Sequence, residues 1–270
     1  MKYAILSDIH ANLEALEAVL NKCNRIGVEN YVCLGDIVGY NADPQKCVDI
    51  IRSLNPVGVV KGNHDEYASN GDEEMEGFNQ HAKAAVLWTK SKLDEESLQW
   101  LASRPMRATI PQSGMTIVHA TLDTPEAWGY IFDIHHAADN FSYQFTPICF
   151  CGHSHVPIAF CKKPLAEMSE KPIEEISNWS RKRNESMIID NVNIEDSISI
   201  SLKPGHKYLI NVGSVGQPRN RDPRASFVVY DREHNTVTRY RIPYDIAKAQ
   251  EKIRKAKLPE RLAARLESGC

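Results

Sequence analysis

Apolar positions in the first third of the chain alternate between the period of a buried strand and that of a helix face. "KYAILSD" opens as a strand, and from Asn12 to about Ile26 the residues Leu13, Leu16, Val19 and Leu20 recur on one helical face. "NYVCLGD" follows as a second strand, Pro44 opens a helix to about Leu54, and "VGVVKGN" is a third strand. Proline suits the first helical turn, where its missing amide proton has no helical partner. Strand, helix, strand, helix, strand predicts right-handed crossovers around a parallel sheet, an α/β core. Residues 66–80, acidic and glycine-bearing, read as a flexible loop. "HAKAAVLWTKSKL" and "DEESLQWLAS" predict helices, the second capped by Asp94; "MRATI" and "GMTIVHA" predict strands, and "HHAADNFS" a short helix. Ile148 to Cys151 reads as a buried strand that stops at "CGHSHVP". Beyond it, about 162–206 is highly charged and poor in aromatics, which predicts an insertion of hairpins or mobile loop over one face, suited to a lid or a dimer surface. "KYLINVG", "ASFVVYD" and "TVTRYRI" predict three late strands of a second sheet, and the tail from about Tyr244 reads as helical and solvated on one side. With no repeat and no linker, 1–270 reads as a single domain.

Composition narrows the class. At 270 residues, 42% hydrophobic and 25% charged, the chain is long enough for a substantial core. A net charge of −3 argues against polymeric nucleic acid as the main partner. The chain has no long uncharged apolar run and opens directly on a strand, so no membrane partner is expected and a cytoplasmic location is. Seven scattered cysteines without a C-x-x-C pair suggest core thiols, neither a disulfide framework nor a thiolate zinc site. Homo-oligomerisation is left open.

The chemistry gathers at strand ends. The first three predicted strands end in Asp8 and His10, in Asp36, and in Asn63, His64 and Asp65; later ones end in His119 and in His153 and His155. An H-x-H pair alone says little, and an Asp after a strand is usually a helix cap. Caps, however, do not need imidazoles, and five of the ten histidines stand at these ends. Parallel strands bring their carboxyl ends to one edge, where ligands bind. Asp8, His10, Asp36, Asn63, His119, His153 and His155 supply seven oxygen and nitrogen ligands, more than one transition metal takes. Two divalent ions sharing one carboxylate, with Asp36 in the middle of the order as the natural bridge, would clamp an in-line displacement at phosphorus through a hydroxide held between them. Mn, Fe, Zn, Co or Ni all suit such donors.

The series D-x-H, G-D, G-N-H-D, H, G-H-x-H, spanning residues 8 to 155, resembles the calcineurin-like metallophosphoesterase superfamily. "NVGSVGQPRNRDPRASF" resembles a subgroup of its bacterial and archaeal members. The resemblance implies a two-sheet sandwich flanked by helices, with a dinuclear metal site at the carboxyl edge of the strands. It implies Asp8, His10, Asp36 and His155 on one ion, and Asp36, Asn63, His119 and His153 on the other. It makes His64 the proton donor to the leaving group. The implied activity is hydrolysis of a phosphomonoester or phosphodiester of a small molecule or nucleotide.

Departures from the family pattern matter. In its protein phosphatases the second motif reads G-D-x-x-D-R-G; here Gly39 and Tyr40 replace that Asp and Arg. The phosphate-clamping Arg is therefore missing, and the orienting partner of His64 is unassigned, with Asp43 and Asp65 as candidates. Arg219 and Arg221 are either a replacement clamp or solvated loop charges. Tyr40 joins them as a substrate contact, and Asn12 either reaches the site or caps its helix. A non-catalytic interaction scaffold of the same fold, and a nuclease, are the competing readings; a scaffold would be expected to have lost ligands, and all seven are present.

Overall fold

The computed structural model describes residues 1–70, 75, 78–167, 171–177, 179 and 195–270. Two mixed sheets pack face to face with helices outside. The first carries β3 (Gly58–Val59), β2 (Asn30–Cys33), β1 (Lys2–Leu6), β11 (Ala225–Asp231), β12 (Thr236–Ile242) and β9 (Asp196–Ser201), in that order. The second carries β4 (Arg107–Ile110), β5 (Met115–Val118), β6 (Ile148–Cys151), β10 (Lys207–Asn211), β7 (Ile158–Lys162) and β8 (Ile173–Glu175). β1, β2 and β3 are parallel, as are β5, β6 and β10; the other pairings are antiparallel.

Both faces of the central strands are covered, which is why they read as unbroken apolar runs. In β1, Tyr3 and Ile5 enter the core between the sheets, while Ala4 and Leu6 pack with Leu13, Leu16 and Val19 of α1 (Leu13–Arg25). In β6, Ile148 and Phe150 face the inter-sheet core; Cys149 and Cys151 face Ala137 and Phe141 of α6 (Ile134–Tyr143). Burying a side chain such as Phe150 contributes roughly 1.5–3 kcal/mol. Six of the seven cysteines are buried and all seven are free thiols. α2 (Pro44–Ser53) starts at its proline, and Asp94 caps α5 (Glu95–Ala102) by accepting from the Ser97 amide at 2.7 Å.

Two expectations are corrected. The late strands do not form one sheet: β10 joins β6 and β7, whereas β11 and β12 extend the first sheet from β1. Periodicity marks a strand but not its partner, and the crossing between sheets falls in residues 212–224. The loop expected from residue 66 begins later, because Asn63–Ser69 is a helix, α3. Asp65 anchors it, accepting from the Gly62 amide at 3.1 Å and the Ile37 amide at 2.9 Å. Within 71–77 only Met75 is described; Asn79 then caps α4 (Gln80–Lys90). Of the interval 162–206, the described part puts β8 on the edge of one sheet and β9 on the edge of the other; 168–170, 178 and 180–194 lie outside the described residues. The tail forms two helices, α7 (Ile246–Lys255) and α8 (Glu260–Ser268).

Candidate metal centre

Six of the seven predicted ligands, Asp8, His10, Asp36, His119, His153 and His155, converge on the loops that leave β1, β2, β5 and β6, and Asn63 follows β3; all seven are buried. The turns that deliver them are tight. Asp8, His10, Asp36, His153 and His155 have φ between 49° and 66°, a left-handed conformation costing about 1–2 kcal/mol for a non-glycine residue. Hydrogen bonds across the sheet ends hold these turns: Asp8 N donates to Gly35 O at 3.1 Å, His10 N to Asp36 O at 2.9 Å, and His153 N to Asp8 Oδ2 at 3.1 Å. Gly62 lets the third strand end approach, since a Cβ there would lie 2.1 Å from Asp36 Oδ1.

The ligand atoms form two groups that share Asp36. Asp8, His10, Asp36 and His155 bring one ligand atom each within 4.8 Å of one another, and so do Asp36, His119 and His153. Asp36 Oδ2 lies 3.5 Å from His10 Nε2 and 3.4 Å from His119 Nε2. Asn63 Oδ1 and Asp8 Oδ1 are buried with no hydrogen-bond partner among the described residues. Each imidazole turns its outer nitrogen to a backbone carbonyl: His10 Nδ1 to Val38 O at 3.0 Å, His119 Nδ1 to Leu34 O at 2.8 Å, His155 Nδ1 to Gln217 O at 2.6 Å and His153 Nε2 to Trp128 O at 2.9 Å. A carbonyl only accepts, so the outer nitrogens carry the protons and, in neutral rings, the inner ones present lone pairs. Two inner nitrogens, His10 Nε2 and His155 Nε2, face each other at 3.2 Å, an arrangement that a cation between them satisfies.

Electrostatics agree. Burial pushes His10 and His155 well below the usual imidazole range and His153 down to about 3, so these rings are neutral, the form that binds metal. Burial pushes the Asp8 carboxyl up to about 6. It opposes ionisation of Asp36 too, but His119 and His64 prevail and hold that carboxyl well below its usual range. Against burial, Asp36 draws His119 up to about 9. The space between His119, His153 and Asp36 thus attracts positive charge, a proton or equally a cation that displaces it. The donor set fits divalent metal.

His64 stands beside this cluster. Its backbone N donates to Asp36 Oδ1 at 2.8 Å, and its ring lies 4.3 Å from Tyr40, 4.8 Å from Phe78 and 4.8 Å from His10, centroid to centroid. Burial pushes its imidazole down to about 4. Neither candidate orienting carboxylate reaches it. Asp65 is committed to the Ile37, Val38 and Gly62 amides, and Asp43 to Lys252 at 2.6 Å and Lys46 at 3.4 Å. Aromatic packing positions the ring instead, against a glycine: at Gly39, φ +90°, a Cβ would lie 2.4 Å from His64 Nδ1. Gly39→Ala is therefore expected to displace His64 and lower turnover by about 10²-fold, the cost of misplacing a reacting group by about 1 Å. Metal content should stay at the wild-type level; parallel rate and metal measurements check this, and an unchanged rate would refute the positioning role.

The four residues expected at the substrate part company. Tyr40 and Arg219 meet at the site: Arg219 Nη2 donates to the Tyr40 hydroxyl at 3.3 Å and to Gln217 Oε1 at 3.1 Å, and its guanidinium lies 5.7 Å from the Tyr40 ring centroid. Arg221 does not join them; it is exposed and lines a separate cavity with Pro223, Ile246 and Gln250, because its left-handed turn (φ 63°) ties it to Gly269 at 2.8 Å. Asn12 is a cap, its Oδ1 accepting from Ala15 N at 3.1 Å while its amide group donates to Gly216 O at 2.9 Å. No described residue of 162–206 lines the cavity at the site.

Other residues there were not foreseen. Tyr130 stacks on His153 at 4.3 Å, and Phe78, Arg261 and Arg265 line the cavity. The aromatic cluster of "EAWGYIF", between the strand ending at His119 and the helix "HHAADNFS", is a usable signal. The carbonyls of Val38, Leu34, Gln217 and Trp128 had none, since a backbone acceptor is the same at every position.

Comparison with known proteins places this architecture. Residues 1–235 match the model of the calcineurin-like phosphoesterase superfamily domain. An uncharacterised protein of Methanocaldococcus jannaschii is 39% identical over 268 residues, covering 98% of this chain and 97% of that one. The crystal structure of a metallophosphoesterase from Sphaerobacter thermophilus, 38% identical, superposes with a TM-score of 0.79 over 100% of this chain and 99% of that one. A hypothetical protein from Pyrococcus horikoshii shares the fold at 20% identity, with a TM-score of 0.74 over 100% and 98% of the two chains. The chain belongs to the calcineurin-like phosphoesterase superfamily and is a metal-dependent phosphoesterase.

Proposed function

We propose that the chain hydrolyses phosphomonoesters or phosphodiesters of small molecules or nucleotides at a dinuclear centre. The observation that carries this reading is the pair of buried ligand groups meeting at one carboxylate, Asp36. Asp8, His10, Asp36 and His155 would hold one divalent ion; Asp36, Asn63, His119 and His153 the other. Oxygen and nitrogen donors suit Mn, Fe, Zn, Co or Ni. Such ions supply an activated water at neutral pH and neutralise charge on the phosphoryl oxygens. The chain's own groups do the rest. The carbonyls of Val38, Leu34, Gln217 and Trp128 hold the imidazoles in one tautomer and orientation. Burial holds His64 down to about 4, but the negative charge of a phosphate bound beside it raises its proton affinity, so the ring can carry a proton to the departing oxygen, with Arg219 facing the leaving-group side of the substrate. A cytoplasmic, reducing setting suits seven free cysteines. Among the described residues no helix is long and apolar enough to cross a membrane.

The test is reconstitution. Metal-stripped protein should hydrolyse neither bis-p-nitrophenyl phosphate nor p-nitrophenyl phosphate, and adding Mn²⁺ should restore turnover as two ions bind per chain. The ratio of the two substrates then assigns diester or monoester preference. Turnover that saturates at one bound ion, or that persists after stripping, would rule out the dinuclear reading.

A further inference from the structure

Three arginines converge on the cavity beside the metal centre. It has a volume of about 530 Å³, and its lining includes Asn63, His64, Tyr130, Arg219, Arg261 and Arg265. No Asp or Glu among the described residues lines it. Four other cations of the C-terminal tail behave differently. Lys248 and Lys252 pair with Glu14 at 3.2 and 2.5 Å, Arg254 with Glu260 at 2.7 Å, and Lys255 with Glu251 at 2.6 Å. Among the described residues, no Asp or Glu side chain pairs with Arg219, Arg261 or Arg265. Among the described residues Arg219 donates to neutral groups, Tyr40 and Gln217, and Arg265 Nε donates to the main-chain oxygen of Cys270 at 2.5 Å. Arg219 Nε is buried with no hydrogen-bond partner among the described residues. Burial and the neighbouring Arg219 charge hold Arg265 below its usual range. Like charges gathered around a cavity in a chain of net charge −3 repel one another unless an anion sits between them.

We propose that Arg219, Arg261 and Arg265 bind a second phosphate, on the His64 side of the metal centre, so that the preferred substrate is a phosphate ester whose leaving group itself carries a phosphate. The proposal rests on the phosphoesterase reading, which puts the scissile phosphate at the metals and the leaving group at His64. Guanidinium forks match phosphate oxygens bidentately. Arg261 and Arg265 stand on α8, beyond residues 1–235 that match the family domain, so this recognition is added to the shared core.

Binding tests this without turnover. Methylphosphonate and α,ω-alkylene bisphosphonates with one to four methylenes are titrated calorimetrically into the full chain loaded with Mn²⁺. One bisphosphonate should bind on the order of 10–100-fold more tightly than methylphosphonate, the worth of one charge-assisted contact. The best spacing separates a pyrophosphate-like leaving group (one methylene) from a separately placed second phosphate (three or four). Arg261→Gln and Arg265→Gln should each bring that advantage towards unity, and Arg261→Lys should keep part of it. No advantage at any spacing, or one unchanged in both Gln variants, overturns the subsite. Because no step depends on hydrolysis, the subsite and the phosphoesterase reading can fail separately.

Discussion

Asp36→Asn is expected to lower metal-dependent phosphoester hydrolysis by on the order of 10³-fold or more, since charge stabilisation by the ions is worth several kcal/mol. One oxygen, Oδ2, faces both ligand groups, at 3.5 Å from His10 Nε2 and 3.4 Å from His119 Nε2, while Oδ1 accepts from the His64 amide at 2.8 Å. An asparagine can still accept from that amide, so the turn and the fold should survive. What it removes is a negative charge common to both ligand groups; on the proposed dinuclear reading both ions share it, and removing it at any other ligand would affect one ion only. Two measurements read the outcome together: ions bound per chain, expected to fall from two to one or none, and kcat/KM with excess Mn²⁺. If two ions stay bound and the rate stays within tenfold of wild type, Asp36 is not the bridge.

Much of this site is legible in the sequence because its ligands are side chains at the ends of apolar runs. Asp8, Asp36 and Asn63 follow β1, β2 and β3, whose burial on both faces makes them visible as strands. The topology then does the gathering, which a parallel core predicts. What is not legible is carried by the backbone. Asp8, His10, Asp36, His153 and His155 adopt left-handed turns that local preference reserves for glycine and asparagine, and hydrogen bonds between distant segments hold Asp8, His10 and His153 there. The orienting carbonyls leave no trace for the same reason. Arg261 and Arg265 sit at least 40 residues beyond the last strand-end motif residues that draw attention, Arg219 and Arg221, and look like ordinary solvated charges of an amphipathic tail. That no Asp or Glu side chain among the described residues pairs with them appears only once α8 is folded back onto Tyr40 and Ala82.

The dependence on the leaving group should single out His64. With an alkyl phosphate ester, whose departing alkoxide needs a proton, His64→Ala is expected to cost roughly 10²–10⁴-fold in kcat, the usual worth of a positioned general acid. With p-nitrophenyl phosphate, whose phenoxide departs without help, the loss should be smaller by tenfold or more, so a plot of log kcat against leaving-group pKa becomes steeper in the variant. Metal content should not change, because the ring touches Tyr40, Phe78 and His10 and is not one of the two ligand groups. A ring that merely filled space between Tyr40 and Phe78 would slow every substrate by the same factor, through a shift of Asn63 or of Asp36, which accepts from the His64 backbone. A uniform loss, with or without loss of metal, would therefore reassign His64 to a structural role and leave the leaving oxygen to take its proton from solvent. A steeper slope would place the acid where the cavity's arginines need it, between the scissile phosphate and the group that departs.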